Sequence, residues 1–274
     1  MPDHARQTAQ AWWQAGVPAQ VVTVLRTQGS APREAGTRMV VSAQAVAGTI
    51  GGGHLELQAI ARARQRLTEG NHAALHEQHF PLGPALGQCC GGAVTLGTQA
   101  LSADVLAQWP PEPALFTLQL YGAGHVGRAI AHLLATLPCA VQWIDERDTE
   151  FPAEPGPPHI QRLCVEPVQA EVATAPPGSF YLVLTHRHDL DMAICETILA
   201  RGDFAYLGLI GSATKRARFM HRFEQRGVPA HLLDRIVCPI GVPGITGKEP
   251  EQLAIAVVAQ LLQVASSRLV SSFG

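Results

Sequence analysis

One stretch of the chain, residues 118–148, constrains the fold more than any other. It reads LQLYGAGHVGRAIAHLLATLPCAVQWIDERD. A buried-strand pattern ends at Tyr121, a glycine turn follows, and an amphipathic helix pattern begins inside the turn. A second apolar run ends in Asp145, 145 − 122 = 23 positions after the first glycine. This order predicts the βαβ unit that opens a doubly wound parallel sheet of the dinucleotide-binding type.

The glycine turn has the G-x-G-x-x-G spacing of an anion site. Unpaired N–H groups at a helix start, together with the helix dipole, attract a phosphate, and glycine lets the backbone approach it closely. The alternative is a glycine-rich turn that binds nothing. The predicted ligand contacts are Gly122, Gly124, His125, Val126, Gly127 and Asp145.

The remaining patterns divide the chain into two parts. Strand patterns alternate with helix patterns after residue 115, whereas the first hundred residues show short strands, one long helix and several glycine-rich loops. We therefore predict an α/β protein with an N-terminal α+β domain over residues 1–101. A proline-containing linker over 102–114 and a Rossmann-like doubly wound parallel-sheet domain over 115–274 follow.

Composition excludes several classes of protein. Of 274 residues, 47% are hydrophobic and 15% charged, so the chain can bury a sizeable core. The net charge of −2 and the absence of a basic run argue against a nucleic-acid partner. No apolar run approaches the roughly 18 residues of a membrane span, and the N-terminus lacks the pattern of a signal peptide. Scattered cysteines indicate reduced thiols, so we expect a cytoplasmic protein.

A second glycine loop, GTIGGGHLE, runs directly into a helix pattern and predicts a second anion nest. Arg33 and Arg38 in the preceding segment could supply cations to the same anion. The alternatives are a tight strand-to-helix connection and solvated surface charges. The predicted contacts are Gly51, Gly52, Gly53, His54 and Arg33.

A third loop, IGSATKR, has the same character. Ser212 is placed to cap the following helix, Gly211 clears space, and Lys215 lies one turn into the helix. This helix start could hold a phosphate or a carboxylate, and the alternative is an ordinary N-cap.

The segment THRHDLD carries two histidines, His186 and His188, beside Asp189. It is similar to the H-x-H-x-D-H metal motif of metallo-β-lactamase-type hydrolases. The aspartate comes one place early, however, and no histidine follows it. We favour ligand contact for the histidines, and capping of the next helix by Asp189 or Asp191, over a dinuclear metal site.

The segment LGQCCGG contains the adjacent thiols of Cys89 and Cys90. Neighbouring Cα atoms lie about 3.8 Å apart, so a disulfide between the two cysteines would be strained. Nearby glycine amides would favour a thiolate, which is a soft metal ligand or a redox-sensitive nucleophile. Zinc is disfavoured because no second cysteine pair supplies the usual spacing. The alternative is two small residues in a tight turn.

These motifs together resemble the XdhC/CoxI family, the accessory proteins of xanthine dehydrogenase and related molybdenum hydroxylases. The matching segments include GSAPREAGTRMVV, GTIGGGHLE, LGPALGQCCGG, YGAGHVGRAI, LTHRHDLD, YLGLIGSATKR and CPIGVPGITGKEPEQLAIAVVAQLL. The resemblance implies a cytoplasmic, homodimeric chaperone that is not itself an enzyme. Such a protein binds molybdenum cofactor in its molybdopterin form and protects it from oxidation. It works with cofactor biosynthesis proteins and a cysteine desulfurase, and inserts the sulfurated cofactor into apo-xanthine dehydrogenase.

Molybdopterin carries a phosphate, a polar pterin and a dithiolene-bound metal. The chain offers an anion nest, polar loops and soft ligands, so our hypothesis places the phosphate at Gly122–Gly127 and Cys89 or Cys90 near molybdenum. One alternative is an NAD(P)- or flavin-dependent oxidoreductase in which Asp145 binds a ribose hydroxyl. The others are a zinc hydrolase using His186 and His188, and a Rossmann-like domain that only docks partners.

Overall fold

The computed structural model describes residues 4–70, 74–82 and 92–271. The chain forms two compact units with a boundary between Glu112 and Pro113. The predicted linker, 102–114, contains a short helix, Ala103–Ala107, which buries Val105 in the core of the first unit. Residues up to 112 therefore belong to the first unit. Proline content alone suggested a connecting segment, but the apolar residues between the prolines find a core to pack against.

The first unit is a five-stranded antiparallel sheet with helices on both faces. The strand order is β3-β2-β1-β5-β4. The strands are β1 (Ala19–Gln28), β2 (Arg38–Ser42), β3 (Val46–Gly48), β4 (His76–Pro81) and β5 (Ala93–Ala100). The helices are α1 (His4–Gln14), α2 (Gly53–Glu69) and α3 (Ala103–Ala107).

The central strand β1 is buried on both faces because both faces are covered. Val22 and Val24 lie in the core under α2, while Val21 lies in the core that includes α1 and α3. Helix α2 buries Leu55 and two alanines one and two turns later, and these small residues let the helix approach the sheet closely. The helix ends at Gly70, which has φ +69°, the left-handed conformation that glycine adopts most easily.

The second unit is a six-stranded, wholly parallel sheet. The strands are β6 (Thr117–Tyr121), β7 (Ala140–Asp145), β8 (Ile160–Cys164), β9 (Phe180–Val183), β10 (Tyr206–Leu209) and β11 (Ile236–Val237). The helices are α4 (His125–Leu134), α5 (His188–Arg201), α6 (Ala213–Gln225), α7 (Ala230–Leu233) and α8 (Pro250–Ser271). Short 3-10 turns span Asp148–Glu150 and Val168–Thr174.

The strand order of this sheet is β11-β10-β9-β6-β7-β8. Numbered within the unit and read from the β8 edge, that is 3-2-1-4-5-6, the order of the Rossmann fold, and it confirms the predicted fold class. One face packs on α4 and α8 and the other on α5 and α6, so strands β9 and β10 are buried throughout. The chain reverses its direction of winding between β6 and β9, and a crevice opens there at the carboxyl ends of the strands. Among the described helices, none combines the length and apolar character needed to cross a membrane.

Candidate functional site

Two of the three motif glycines, which lie in the turn after β6 and in the first turn of α4, are required by packing. Gly122 has φ +119°, and a Cβ at this position would lie 2.4 Å from the carbonyl oxygen of Leu184. A Cβ at Gly127 would lie 2.0 Å from the carbonyl oxygen of Gly122. These glycines bring the turn against strand β9 and the helix against the turn. Their presence is explained by the fold itself.

Gly124 has no such explanation within the fold. Its φ of −67° is accessible to any residue, and no atom lies within 4 Å of a Cβ built there. It is the N-cap of α4, and no side chain caps the helix at this end. The first-turn amides therefore lack a side-chain acceptor, and the place that a Gly124 side chain would occupy is open. An uncapped helix start beside an open glycine is the arrangement that receives a phosphate.

Asp145, at the end of β7, holds this turn in place. It is 4% exposed. Its Oδ2 accepts a hydrogen bond of 2.7 Å from the amide of Ala123, and both oxygens pair with the guanidinium of Arg147 at 2.9 and 3.0 Å. Burial would raise the pKa of the Asp145 carboxyl, but the hydrogen bonds from Arg147 and Ala123 outweigh burial and lower that pKa.

The role of Asp145 therefore differs from the predicted one. A carboxylate that binds a ribose hydroxyl must keep an oxygen free for it. Here both oxygens hold the chain itself, and Arg147 covers the carboxylate. Asp145 positions the amides of the turn, and in this arrangement its oxygens are not available to a ligand.

A narrow cleft lies at the switch point, where the strand ends of β6, β7 and β9 meet. It brings together three of the predicted residues, Gly122, Asp145 and His186, with Glu146 and Thr185. His186 Nε2 lies 3.6 Å from Glu146 Oε1. These polar groups lie next to the glycine turn, but the cleft itself is too narrow to admit a water molecule.

The IGSATKR loop is tied to the wall of this cleft. Ser212 caps α6 as predicted, since its Oγ accepts from the amide of Lys215 at 3.2 Å. Lys215 Nζ, however, donates to Asp191 Oδ2 at 2.6 Å, and Asp191 is 1% exposed. The other oxygen, Oδ1, accepts from the amide and hydroxyl of Thr185 at 3.0 and 2.7 Å. Lys215 thus neutralises an internal carboxylate, which differs from the predicted contact with a ligand anion.

The second histidine of THRHDLD, His188, does not line the cleft. His188 Nδ1 lies 3.1 Å from a guanidinium nitrogen of Arg218. The N-cap of α5 is Arg187, with no side-chain capping bond, so capping by Asp189 or Asp191 is wrong. Arg187 instead pairs with Asp189 at 2.7 Å and lowers the pKa of that carboxyl to about 2. In the described part of the chain, no group of three or more His, Cys, Asp or Glu side chains is arranged to hold a metal.

In the first unit, the triple-glycine loop already contains an internal anion. Glu56 Oε2 accepts from the amides of Ile50 and Gly52 at 3.0 and 3.1 Å, and from the hydroxyl of Thr49 at 2.5 Å. The predicted nest is therefore partly filled by the chain. Gly52, the N-cap of α2, makes no side-chain capping bond and has open space where a Cβ would lie.

The loop carrying Arg33 packs against this triple-glycine loop. A Cβ at Gly51 would lie 2.5 Å from Pro32 and 3.6 Å from Arg33 Cγ, and the Arg33 side chain is exposed. A Cβ at Gly92 would lie 2.3 Å from the carbonyl oxygen of Gln28, so the end of the CCGG segment reaches the same loop. Three glycine-containing segments thus meet at one end of the antiparallel sheet.

Two further predictions for this unit concern Arg38 and the cysteine pair. Arg38 does not join the loops, because its guanidinium lies over the ring of Trp109 at 5.5 Å, and burial lowers its pKa. Cys89 and Cys90 lie outside the described residues, and their role stays a prediction. The placement of His54 beside the loop is as expected, with its Nε2 2.8 Å from Gln58 Nε2.

Sequence reasoning did not predict the contacts of three residues that organise these loops: Glu56, Arg147 and Asp191. Glu56 had a local signal, an acid in the first turn of a helix that follows three glycines. Arg147 lies two positions after Asp145, where a bidentate pair is sterically simple. Asp191 had no such signal, because its partner Lys215 is 24 positions away along the chain.

Comparison with known proteins yields matches to both units. Residues 118–261 match the model of the XdhC Rossmann domain, and residues 12–78 match that of the XdhC and CoxI family. The Escherichia coli K12 protein YqeB is 30% identical over 253 residues, covering 90% of this chain and 43% of that protein. A probable xanthine dehydrogenase subunit from Bacillus subtilis 168 is 28% identical over 155 residues, 56% of this chain and 43% of that protein.

The chain thus spans less than half the length of these two relatives. Among solved structures, a Bacillus halodurans protein described as a xanthine dehydrogenase superposes with a TM-score of 0.77 at 17% identity. The match covers 98% of this chain and 97% of that one, so the agreement in fold includes both units.

Proposed function

Because this chain belongs to the XdhC and CoxI family, we propose that it is an accessory protein for xanthine dehydrogenase or a related molybdenum hydroxylase. It binds molybdenum cofactor in the molybdopterin form, protects it, and supports its sulfuration together with a cysteine desulfurase. It then inserts the cofactor into apo-xanthine dehydrogenase. In this proposal it receives the cofactor from biosynthesis proteins and works in the cytoplasm as a homodimer.

The observation that carries this proposal is the open position at Gly124. A ligand phosphate fits in front of the uncapped first turn of α4, where the amides of His125 and Val126 are the donors. Without a ligand in this place, a residue with a side chain would serve the fold equally well. Packing explains why Gly122 and Gly127 are glycines. Gly124 is the motif glycine that a bound ligand would explain.

The rim of the cleft beside the turn offers polar groups to such a ligand, although the cleft itself is closed. At this rim Glu146 and His186 offer a carboxylate and an imidazole, which match donors and acceptors of a pterin edge. When bound, the cofactor supplies the molybdenum centre on which the receiving enzyme depends, and this chain's residues hold and shield it.

The other residues predicted to contact the ligand have different roles in this proposal. Gly51, Gly52, Gly53, His54 and Arg33 remain proposed ligand contacts within the first unit, where Glu56 shapes the loop and Arg33 is an exposed cation. Gly211, Ser212 and Lys215 support the cleft through Asp191, so they act by positioning it. His188, held against Arg218, has no assigned contact with the ligand.

A dinucleotide-dependent oxidoreductase is the second candidate function, and the 3-2-1-4-5-6 strand order favours it. Against it, Asp145 has both oxygens bound to the chain where a ribose hydroxyl would need one. Titration with NAD, NADP and flavins separates the two functions. Micromolar binding with turnover supports the oxidoreductase and contradicts the carrier.

The direct test is co-expression with the enzymes of cofactor biosynthesis, followed by anaerobic purification. We expect molybdenum and pterin to co-purify with the chain in near-equal amounts, and the loaded protein to activate apo-xanthine dehydrogenase. Purified protein that lacks both, although the cofactor is present in the same extract, contradicts the proposal. A Cys89→Ala/Cys90→Ala variant tests the thiolate role separately, since unchanged molybdenum content with unchanged pterin rejects it.

A further inference from the structure

A cavity of about 180 Å³ lies in the first unit, between the second half of α2 and strands β4 and β5. Its polar lining includes Arg62, Arg66, His76 and Gln78. Helix α2 rises about 1.5 Å per residue, so Arg66 lies roughly 20 Å from the triple-glycine loop at the helix start. The cavity therefore shares a helix with the proposed cofactor-binding loops but none of their residues.

The cavity results from the way α2 covers the sheet. The helix packs over β1 and β2, so β5 and the edge strand β4 lie beside it and one face of theirs stays partly uncovered. Along that face, His76 pairs with Thr98 and Gln78 with Leu96. The helix side presents Arg62, Gln65, Arg66 and Glu69, which recur at i, i+3, i+4 and i+7 and so share one face.

The charges of this lining are unbalanced. Arg66 donates from Nη2 to the carbonyl oxygen of Ala74 at 2.8 Å, but its buried Nε has no hydrogen-bond partner among the described residues. Arg62 is exposed and makes no ion pair in the described part of the chain. The acid in the lining is Glu69, which accepts from Gln65 at 2.6 Å. Two arginines against one carboxylate leave a formal charge of +1 and a donor without an acceptor.

The floor of the cavity is apolar. Phe80 and Leu96 are 5% and 2% exposed and lie in the core cluster beneath α2. An apolar cavity of about 150 Å³ can hold one six-membered ring, so this one is of the size of a single ring with a short substituent. Its lining combines an apolar floor with cationic side chains.

We propose that this cavity binds a small organic monoanion, a ring that carries one carboxylate. The carboxylate lies between the guanidinium groups of Arg62 and Arg66, while the ring lies over Phe80 and Leu96. A single negative charge balances the lining, whereas a phosphate dianion would exceed it by one. The site is independent of the proposed cofactor carriage, because the glycine loops contribute nothing to it.

Titration of the full chain with benzoate tests the site, with acetate and inorganic phosphate as comparison anions. We expect saturable benzoate binding with a dissociation constant of about 1 mM or tighter, which nine ligand atoms can supply. Acetate and phosphate should bind at least about tenfold more weakly, because acetate lacks the ring and phosphate carries excess charge. Calorimetry or NMR titration measures all three.

Arg62→Gln is the informative variant, because the side chain is exposed and its loss does not threaten the fold. It should weaken benzoate binding about tenfold, as loss of a charge-assisted hydrogen bond does. Arg64→Gln is the matched control, since it removes the same charge from the same helix but lies outside the cavity, bonded to the Ser42 carbonyl oxygen. Any one of three results overturns the proposal: benzoate binding does not saturate, phosphate binds more tightly than benzoate, or the Arg62→Gln and Arg64→Gln variants bind benzoate equally well.

Discussion

Substituting alanine at Gly124 and at Gly127 separates the requirements of the fold from those of a ligand. Both glycines belong to the same turn, and each substitution adds one methyl group. At Gly127 the added Cβ would lie 2.0 Å from the Gly122 carbonyl oxygen and 3.0 Å from its carbon, so backbone must move. At Gly124 it meets nothing within 4 Å.

The expected magnitudes follow from these contacts. Forcing a methyl group into packed backbone costs about 3 kcal/mol, which lowers the melting temperature by roughly 6–12 °C for a unit of this size. For Gly124→Ala, an alanine N-cap loses up to about 1 kcal/mol relative to glycine. The smaller entropy of the unfolded chain returns about 0.4–1 kcal/mol. The stability of Gly124→Ala should therefore stay within about 1 kcal/mol of the parent protein.

Urea unfolding measures the stability of both variants, and molybdenum and pterin content after anaerobic co-expression measures binding. We expect Gly124→Ala to keep its stability and lose at least about nine-tenths of the bound cofactor, since a methyl group blocks close approach of the phosphate. If Gly124→Ala retains the cofactor of the parent protein, the turn does not hold the phosphate. If it unfolds as easily as Gly127→Ala, the reasoning from open space is wrong.

Three further predictions concern charged side chains that support the loops. Lys215→Met leaves the Asp191 carboxylate buried without its cation, and we expect a loss of about 3–5 kcal/mol in the free energy of unfolding. Glu56→Ala leaves the amides of the triple-glycine loop without their acceptor, at a cost of about 1–2 kcal/mol. Asp145→Asn removes a carboxylate whose folded pKa is lowered. The stability that it supplies is present above the unfolded pKa of about 3.9 and lost as the pH falls through the folded pKa. The stability gap between parent and variant should therefore shrink only below about pH 4.

Urea unfolding checks each of these, and each has an internal control. Adding Asp191→Asn to Lys215→Met removes the uncompensated charge, so the double variant should be more stable than the single one. Glu77→Ala replaces an exposed carboxylate of the same unit and should change stability by under about 1 kcal/mol. A stability gap for Asp145→Asn that stays constant from pH 7 to pH 3 contradicts the assigned role of that carboxylate.

Local patterns were sufficient to predict the parallel sheet. Each element of residues 118–148 lies where the pattern predicts it, because strand, turn and helix preferences act within a few residues. The cap at Ser212 is a similarly local feature. The assignment of residues 102–114 to a linker rested on proline content alone, and burial of Val105 depends on a core that assembles from distant segments.

The sequence by itself determined the Rossmann-type unit, the family and the glycine turn, because these depend on short-range backbone preferences and on residue order. Only the tertiary structure decided how the charged groups are used. Asp145 meets Arg147, Asp191 meets Lys215, and Glu56 fills part of its own glycine loop. A buried charge is stable only beside a partner, and the partner of Asp191 is Lys215, 24 positions away, which only the packing of α5 and α6 brings beside it.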